Sequence, residues 1–251
     1  AAGRGAALAG RTLLDSDILM RRLDLVASAR ADYEAFDDDT RTMLDAYTAG
    51  VNAFIDTTAT LPVELDLLGV TPEPWQPWDA GAIFKVRHVL MGAWGSKLWR
   101  ARMVAALGPE AVPPLCMRGG EEGVVIVPPG AAYHEAISDL APLMPGIEGF
   151  SRLPEAAGSN NWAVSGSRTA SGKPLAGGDP HRFLDVPNVY YQNHLTCPEA
   201  DVIGYSFAGI PGFPHFGHNA HVAWCITHAA ADYQDLYVER FRDNDGALEY
   251  S

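Results

Sequence analysis

The sequence lacks the features that mark a membrane protein or a nucleic-acid-binding protein. Its 251 residues contain no apolar run near the roughly 20 residues that a membrane-spanning helix needs. Lysine and arginine number 18 against 31 aspartates and glutamates, which gives a formal net charge of −13. A nucleic acid or an anionic membrane would instead require a basic stripe. We therefore expect a globular protein with no membrane span and no nucleic-acid partner.

Several other recognisable patterns are missing. Cys116, Cys197 and Cys225 are widely spaced and form no CxxC, which argues against a disulfide framework or a zinc site. We interpret them as small buried hydrophobes. The absence of a G-x-S-x-G motif argues against the nucleophile elbow of α/β-hydrolases. Residues 1–5 lack the apolar core of a signal peptide.

The first part of the chain is predicted to be helical. Apolar residues recur at three- and four-residue steps over residues 13–26 and again over residues 43–55, where Asp37 and the two aspartates after it offer an N-cap. Four prolines between residues 60 and 78 exclude a continuous helix there. A third helix is predicted to begin at Asp79, and a fourth to cover residues 98–107.

The second part of the chain is predicted to be rich in strands. Short apolar runs separated by Gly, Pro and Asn turns predict strands over residues 162–164, 189–191, 202–205, 222–224 and 236–238, with one further candidate at 124–127. Residues 131–158 lack sustained periodicity and are interpreted as a spacer. Helices followed by strands predict an α+β layered fold.

The motif that organises the chain is Gly158-Ser159-Asn160-Asn161, followed by Asp179-Pro180-His181. Alone, the first four residues are ordinary turn residues. With further blocks in the same order, however, the chain resembles the penicillin acylase family of N-terminal-nucleophile hydrolases. The blocks that carry the resemblance are residues 49–54, 72–75, 158–164, 171–175, 179–181, 209–212, 217–219 and 231–237.

The resemblance implies a partial αββα sandwich made as a precursor. Residues 1–130 would be a helical region like the family's first chain, residues 131–158 a spacer peptide, and residues 159–251 the start of the second chain, released by a cut between Gly158 and Ser159. The sequence matches the interior of a longer precursor, so the remainder of that precursor is an expected partner. The family also implies a periplasmic or secreted location.

Ser159 is the expected nucleophile. A serine hydroxyl needs a base, and the α-amine of an amino-terminal serine titrates near pH ~8, so it can serve once the preceding bond is cut. The resemblance implies that His181 assists Ser159 and that the backbone N–H of His228 donates to the oxyanion. A second donor would lie beyond residue 251. The alternative for His181 is a structural histidine in an Asp-Pro-His turn.

A metal site is a further question raised by the resemblance. Asp232 and Asp235 match two calcium ligands of some family members, whereas Lys97 stands where a first-chain glutamate would complete the site. No cofactor is expected apart from this calcium, and an ion pair between Lys97 and the two aspartates is the favoured alternative. The triplet His215, His218 and His221 is interpreted as strand and turn residues rather than as a transition-metal site.

The sequence thus predicts an amide hydrolase that releases an acyl group through an acyl-Ser159 intermediate. The substrate would be a small linear amide, namely a β-lactam side chain, an acyl-homoserine lactone or a lipopeptide. Two alternatives stay open: a family member without catalysis that acts as a binding or assembly module, and a histidine-dependent metalloenzyme.

Overall fold

The computed structural model describes residues 1–92, 94–108, 141–151, 158–182, 184, 186, 188–212, 214–228, 231–237, 239, 241–244 and 247–250. These residues form two compact units, one of Ala1–Leu90 with Arg152–Ala229 and the other of Met91–Ser151 with Ala230–Ser251. Across the described part of the chain, no helix combines the length and apolarity needed to cross a membrane.

Helices dominate the first ninety residues, as the apolar spacing predicts. They are α1 (Gly5–Ala9), a 3-10 turn (Arg11–Leu13), α2 (Leu14–Leu23), α3 (Leu25–Ala35), α4 (Asp38–Thr57), α5 (Val63–Leu68) and α6 (Asp79–Met91). The proline-rich segment holds only the short α5, so the prediction of no continuous helix there is confirmed.

The ends of these helices have local causes. The helix predicted over residues 13–26 is interrupted at Asp24, whose φ of 47° lies in the left-handed region and ends α2. The predicted N-cap of the next long helix is confirmed, because Asp37 Oδ1 accepts the N–H of Thr40 at 2.7 Å at the start of α4.

The described strands form three antiparallel sheets. In the first unit, β1 (Gly158–Val164) pairs with β2 (Leu175–His181), and a four-stranded sheet has the order β3 (Tyr190–Cys197), β4 (Ala200–Phe207), β5 (Phe216–His218) and β6 (Ala223–Trp224). In the second unit, β7 (Phe241–Asn244) pairs with β8 (Ala247–Tyr250). The mixture of helices and sheets confirms the α+β class.

The buried core of the first unit draws on α2, α3, α4, α6 and β4. Its apolar members are Leu19, Met20, Leu25, Ala29, Leu44, Ala80, Ala82 and Val202. Along β4, Val202, Gly204 and Ser206 are buried and alternate with more accessible residues. One face of β4 is therefore directed to the interior.

The helices described in the second unit differ from the sequence-based predictions. Among the residues that the structure describes there, the helices are α7 (Trp94–Leu107) and, after a 3-10 turn at Ala141–Leu143, α8 (Met144–Ser151). Thus α7 begins four residues before the predicted Leu98, and α8 lies within the segment interpreted as an aperiodic spacer. Cys116 and the strand candidate at 124–127 lie outside the described residues. Cys197 is exposed and Cys225 is half-buried, so the interpretation of the cysteines as buried is wrong for Cys197.

The strand predicted over residues 236–238 is wrong at its two described positions. Leu236 and Tyr237 have no regular secondary structure. The backbone N–H of Leu236 donates to Asp235 Oδ1 at 2.9 Å. A side chain thus takes the hydrogen bond that a neighbouring strand would otherwise accept.

Asn52 joins α4 to the proline-rich connector. Its side-chain amide donates to the Trp75 carbonyl at 3.0 Å and accepts the Trp75 N–H at 2.7 Å. Both hydrogen bonds are partly buried. Asn52 therefore satisfies two backbone groups of a segment that prolines keep from forming a helix.

Replacing Asn52 by alanine is expected to destabilise the protein by about 2–3 kcal/mol, because two partly buried backbone groups lose their partners. Asn52→Asp keeps the acceptor for the Trp75 N–H but replaces the donor by a carboxylate oxygen that the Trp75 carbonyl oxygen repels, so we expect it to be destabilised as well. Urea unfolding of both variants measures the difference. Equal stability of Asn52→Ala and the unaltered protein would contradict this role.

Candidate active site

Ser159 is the second residue of β1 and pairs with Pro180 in β2. Cross-strand partners in an antiparallel pair share a face, and successive residues alternate between faces. Ser159 therefore shares a face with Pro180 and Gly178, whereas Gly158, Asn160 and the paired residues of β2 lie on the opposite face.

The Ser159 hydroxyl is in contact with the predicted oxyanion donor. The backbone N–H of His228 donates to Ser159 Oγ at 3.2 Å, although the two residues are 69 positions apart. Ser159 is half-buried, and the His228 side chain is exposed. The fold thus brings together Ser159 and His228, two of the three residues predicted for catalysis. The contact joins the side chain of Ser159 to the main chain of His228.

His181 lies on the other face of the β1–β2 pair, beside the bond that the prediction expects to be cut. A side chain built at Gly158 would place its Cβ 3.2 Å from His181 Nδ1. His181 Nε2 lies 3.1 Å from Asn160 Nδ2 and 3.1 Å from Asp179 Oδ2. His181 is the last residue of β2, so the Asp-Pro-His segment is part of a strand and not a turn.

The partners of His181 determine what its second nitrogen can do. If Nε2 carries the proton, it donates to the Asp179 carboxylate, and the lone pair of Nδ1 faces Gly158. Asn160 and Asp179 were not among the predicted site residues. The strand register could have identified them, because Asn160 pairs directly with Asp179 and Gly158 pairs with His181.

A cavity of about 750 Å³ lies on the Ser159 face of β2. Strand β2 contributes Gly178 and Pro180, the cross-strand partner of Ser159. The wall formed by the four-stranded sheet includes Tyr190, Ile203, Tyr205, Phe216 and Trp224. The described lining contains no carboxylate, lysine or arginine, so the cavity suits an uncharged group.

Two adjacent glycines allow β2 to fit between its neighbours. A side chain at Gly177 would overlap the Trp162 indole, and one at Gly178 would lie 3.0 Å from Cys225 Cβ. The same two glycines explain why β2 was not predicted from the sequence, because glycine is unfavourable in strand interiors. Close packing on both faces explains why the strand keeps them.

His215 belongs to a cluster of aromatic rings, two of which, Tyr190 and Phe216, also line the cavity. Its ring lies 4.8 Å from that of Phe207, and its Nε2 lies 3.3 Å from an Arg87 guanidinium nitrogen. Burial, then the charges of Arg87 and Arg182, lower the pKa of His215 from 6.5 to about 4. Within the described residues, no three His, Cys, Asp or Glu side chains are grouped to hold a metal ion.

This lowered pKa predicts a loss of stability in acid. Above pH ~6.5 the ring is neutral in both states; between pH ~6.5 and ~4 only the unfolded chain gains the proton, so folding becomes less favourable as pH falls. Allowing for partial solvent access, we expect His215 to contribute about 1–2 kcal/mol to this loss.

Denaturant unfolding of the protein and of His215→Gln at pH 7 and pH 4 measures that contribution. The variant should lose less stability between the two pH values, whereas His221→Gln, at an exposed histidine, should follow the unaltered protein. Parallel curves for all three proteins would show that His215 titrates normally.

The second unit contains the two aspartates matched to a calcium site. Lys97 Nζ lies 2.8 Å from Asp232 Oδ1 and 3.2 Å from Asp235 Oδ1. Hydrogen bonding to Asp232 outweighs desolvation and raises the pKa of Lys97, so the lysine is charged at neutral pH. The structure thus contains the ion pair between Lys97 and the two aspartates that was favoured from the sequence.

Comparison with known proteins fits this combination of fold and motif. The sequence profile described as penicillin amidase matches residues 1–251. The chain belongs to the penicillin amidase family.

Two relatives illustrate the breadth of that family. The chain is 42% identical to penicillin acylase 2 proenzyme of Pseudomonas sp. (strain SE83), over 97% of this chain and 32% of the relative. It is 31% identical to acyl-homoserine lactone acylase QuiP of Pseudomonas fluorescens (strain Pf0-1), over 100% of this chain and 32% of the relative. The chain thus spans about a third of the length of the relatives it matches.

Proposed function

We propose that this chain is the part of an acylase precursor that contains its nucleophile, Ser159. The protein would be cut at Gly158–Ser159 and would then hydrolyse a linear amide through an acyl-Ser159 intermediate. The observation that carries the proposal is the 3.2 Å hydrogen bond from the His228 N–H to Ser159 Oγ, beside an apolar cavity.

Maturation begins with Ser159 Oγ attacking the Gly158 carbonyl carbon. The new C–O bond replaces the C–N bond, the hydroxyl proton ends on the Ser159 nitrogen, and water hydrolyses the resulting ester. Gly158 has no side chain to obstruct the attack, and His181 Nδ1 faces this residue, where it can assist the proton transfer.

Turnover uses the amine that the cut releases. In the intact chain the Ser159 nitrogen is an amide without a basic lone pair; as a free α-amine of pKa ~8 it can accept the hydroxyl proton. Oγ then attacks the substrate carbonyl, the leaving amine takes the proton, and water releases the acyl group. The His228 N–H donates to Oγ at 3.2 Å, and it would stabilise the oxyanion that forms beside that oxygen.

The fold proposed for the complete protein is the αββα sandwich of N-terminal-nucleophile hydrolases. Its segments would be residues 1–130, the spacer 131–158 and the second chain from residue 159. Each compact unit of the structure draws on both sides of Gly158, which suits a precursor whose two products remain interleaved. A periplasmic or secreted location is part of the same proposal.

The substrate class follows from the cavity and from the relatives. An uncharged, largely aromatic and aliphatic lining favours an acyl group without charge. One relative is named for penicillin and the other for acyl-homoserine lactones, and both names describe acylases. We therefore propose a β-lactam side chain, an acyl-homoserine lactone or a lipopeptide as the amide.

A panel of aromatic and long-chain acyl amides, given to the full-length protein, tests this function. We expect release of the free acid together with the amine, and transient transfer of the acyl mass to a peptide that begins at Ser159. A persistently uncut chain that hydrolyses none of the panel would instead support a binding or assembly module without catalysis.

A further inference from the structure

We propose that Lys97 takes the place of a metal ion at Asp232 and Asp235, and that this ion pair tethers the two chains formed by processing. The metal replacement rests on the geometry of the ion pair and on the calcium site that the family resemblance implies. The tether rests additionally on the proposed function, because two chains exist only if the bond before Ser159 is cut.

Lys97 contacts two carboxylates at once, and its own side chain is the partner that is shielded from water. Lys97 Nζ reaches both carboxylates, at 2.8 Å and 3.2 Å, and its side chain is only 21% exposed, against 66% for Asp232 and 58% for Asp235. The lysine stem is thus packed while its ammonium contacts both acids. Such a fixed cation differs from an ordinary surface pair, in which two flexible side chains must both be ordered.

These residues do not fit the calcium that the family resemblance raises. Calcium requires six to eight oxygen ligands at about 2.3–2.6 Å, commonly including several carboxylates. Here the Lys97 ammonium is bound to the carboxylate oxygens that would otherwise be calcium ligands. Its positive charge would repel a calcium ion at the same place. Lys97 already supplies the positive charge that the two acids need.

A second contact fixes the same segment. Residues 231–237 have no regular secondary structure, so side chains hold them in place. Gln234 Oε1 accepts the Trp94 N–H at the start of α7, at 3.4 Å. A side chain at Gly92 would overlap the same Gln234 amide group. The segment is thus held at the beginning of α7 by an amide contact as well as by the ion pair.

The residues of the ion pair lie on opposite sides of Gly158 in the sequence. Lys97 and the start of α7 precede Gly158, whereas Asp232, Gln234 and Asp235 follow it. Cutting the backbone before Ser159 would leave these groups on different chains. The ion pair would then help hold them together, and salt would weaken it by screening.

The metal replacement is tested by thermal unfolding of the full-length protein in chelator and in about 5 mM calcium chloride. The unaltered protein should show the same midpoint in both solutions. Lys97→Glu brings three carboxylates together, so its midpoint should be lower in chelator and should rise by roughly 5 °C with calcium. A calcium response in the unaltered protein, or none in Lys97→Glu, would overturn the replacement.

The tether is tested by the retention of one product chain by the other during gel filtration in increasing salt. Lys97→Met should release the second chain at lower salt than the unaltered protein, and Lys97→Arg should retain it. The matched control is Lys85→Met, because the Lys85–Asp32 pair, at 2.7 Å, lies entirely before the cut. Equal retention in Lys97→Met and Lys85→Met would overturn the tether.

The two proposals fail in distinguishable ways. If the full-length protein is never cut, the proposed function and the tether both fail, whereas the calcium experiment still decides the role of Lys97. If the protein is cut and active but Lys97→Met retains its partner chain normally, only the tether fails.

Discussion

Replacing Ser159 by alanine is expected to leave the full-length protein uncut and to reduce amide hydrolysis by about 10⁴-fold or more. The substitution removes the oxygen that attacks both the Gly158 carbonyl and the substrate, and loss of a nucleophile typically has this magnitude in serine hydrolases. Gel electrophoresis measures the cut, and release of free amine measures turnover.

Two further variants separate chemistry from folding. Ser159→Cys keeps a nucleophile of different size and acidity, so we expect cutting or turnover to be slowed or lost while the thermal midpoint changes little. Ser171→Ala, at an exposed serine twelve residues further on, should be cut and active. Unchanged turnover in Ser159→Ala would remove Ser159 from the mechanism.

Narrowing the cavity is expected to have the next largest effect. Ile203 lies on the wall formed by the four-stranded sheet, and a tryptophan there would fill space that the acyl group needs. We expect Ile203→Trp to be cut normally and to lose at least about tenfold in kcat/KM for the longest acyl group accepted, since a single excluded methylene can have this effect.

The matched control is Leu195→Trp. Leu195 is 43% exposed on the neighbouring strand β3 and is not part of the cavity lining. A rate profile across acyl lengths should shift towards short groups in Ile203→Trp alone. The same profile for both variants would show that the acyl group binds elsewhere.

The helices could largely be predicted from the sequence because their signals are local. The N-cap at Asp37 and the apolar face of α4 are contained within twenty residues. The cap is confirmed, and on the predicted face Leu44 is buried whereas Met43 and Phe54 are exposed. The break at Asp24 was not predicted, since the apolar spacing continues across it. Strand β2 was missed because packing against Trp162 and Cys225, which are distant in sequence, is what requires Gly177 and Gly178.

For the candidate site, too, the residues could be predicted from the sequence, but their contacts could not. The motif and its resemblance to the family predicted Ser159, His181 and His228 as site residues. They could not show that Ser159 and His181 lie on opposite faces of the β1–β2 pair, because faces follow from strand register. The contacts of His181 with Asn160 and Asp179 depend on that register too.

The most direct test of the account is the mass and amino-terminal sequence of the chains in the purified full-length protein. We expect two chains, of which the second begins at Ser159 with a free α-amine. A protein that hydrolyses acyl amides while the Gly158–Ser159 bond remains intact would contradict it, because the Ser159 nitrogen would still be an amide and could not act as the base.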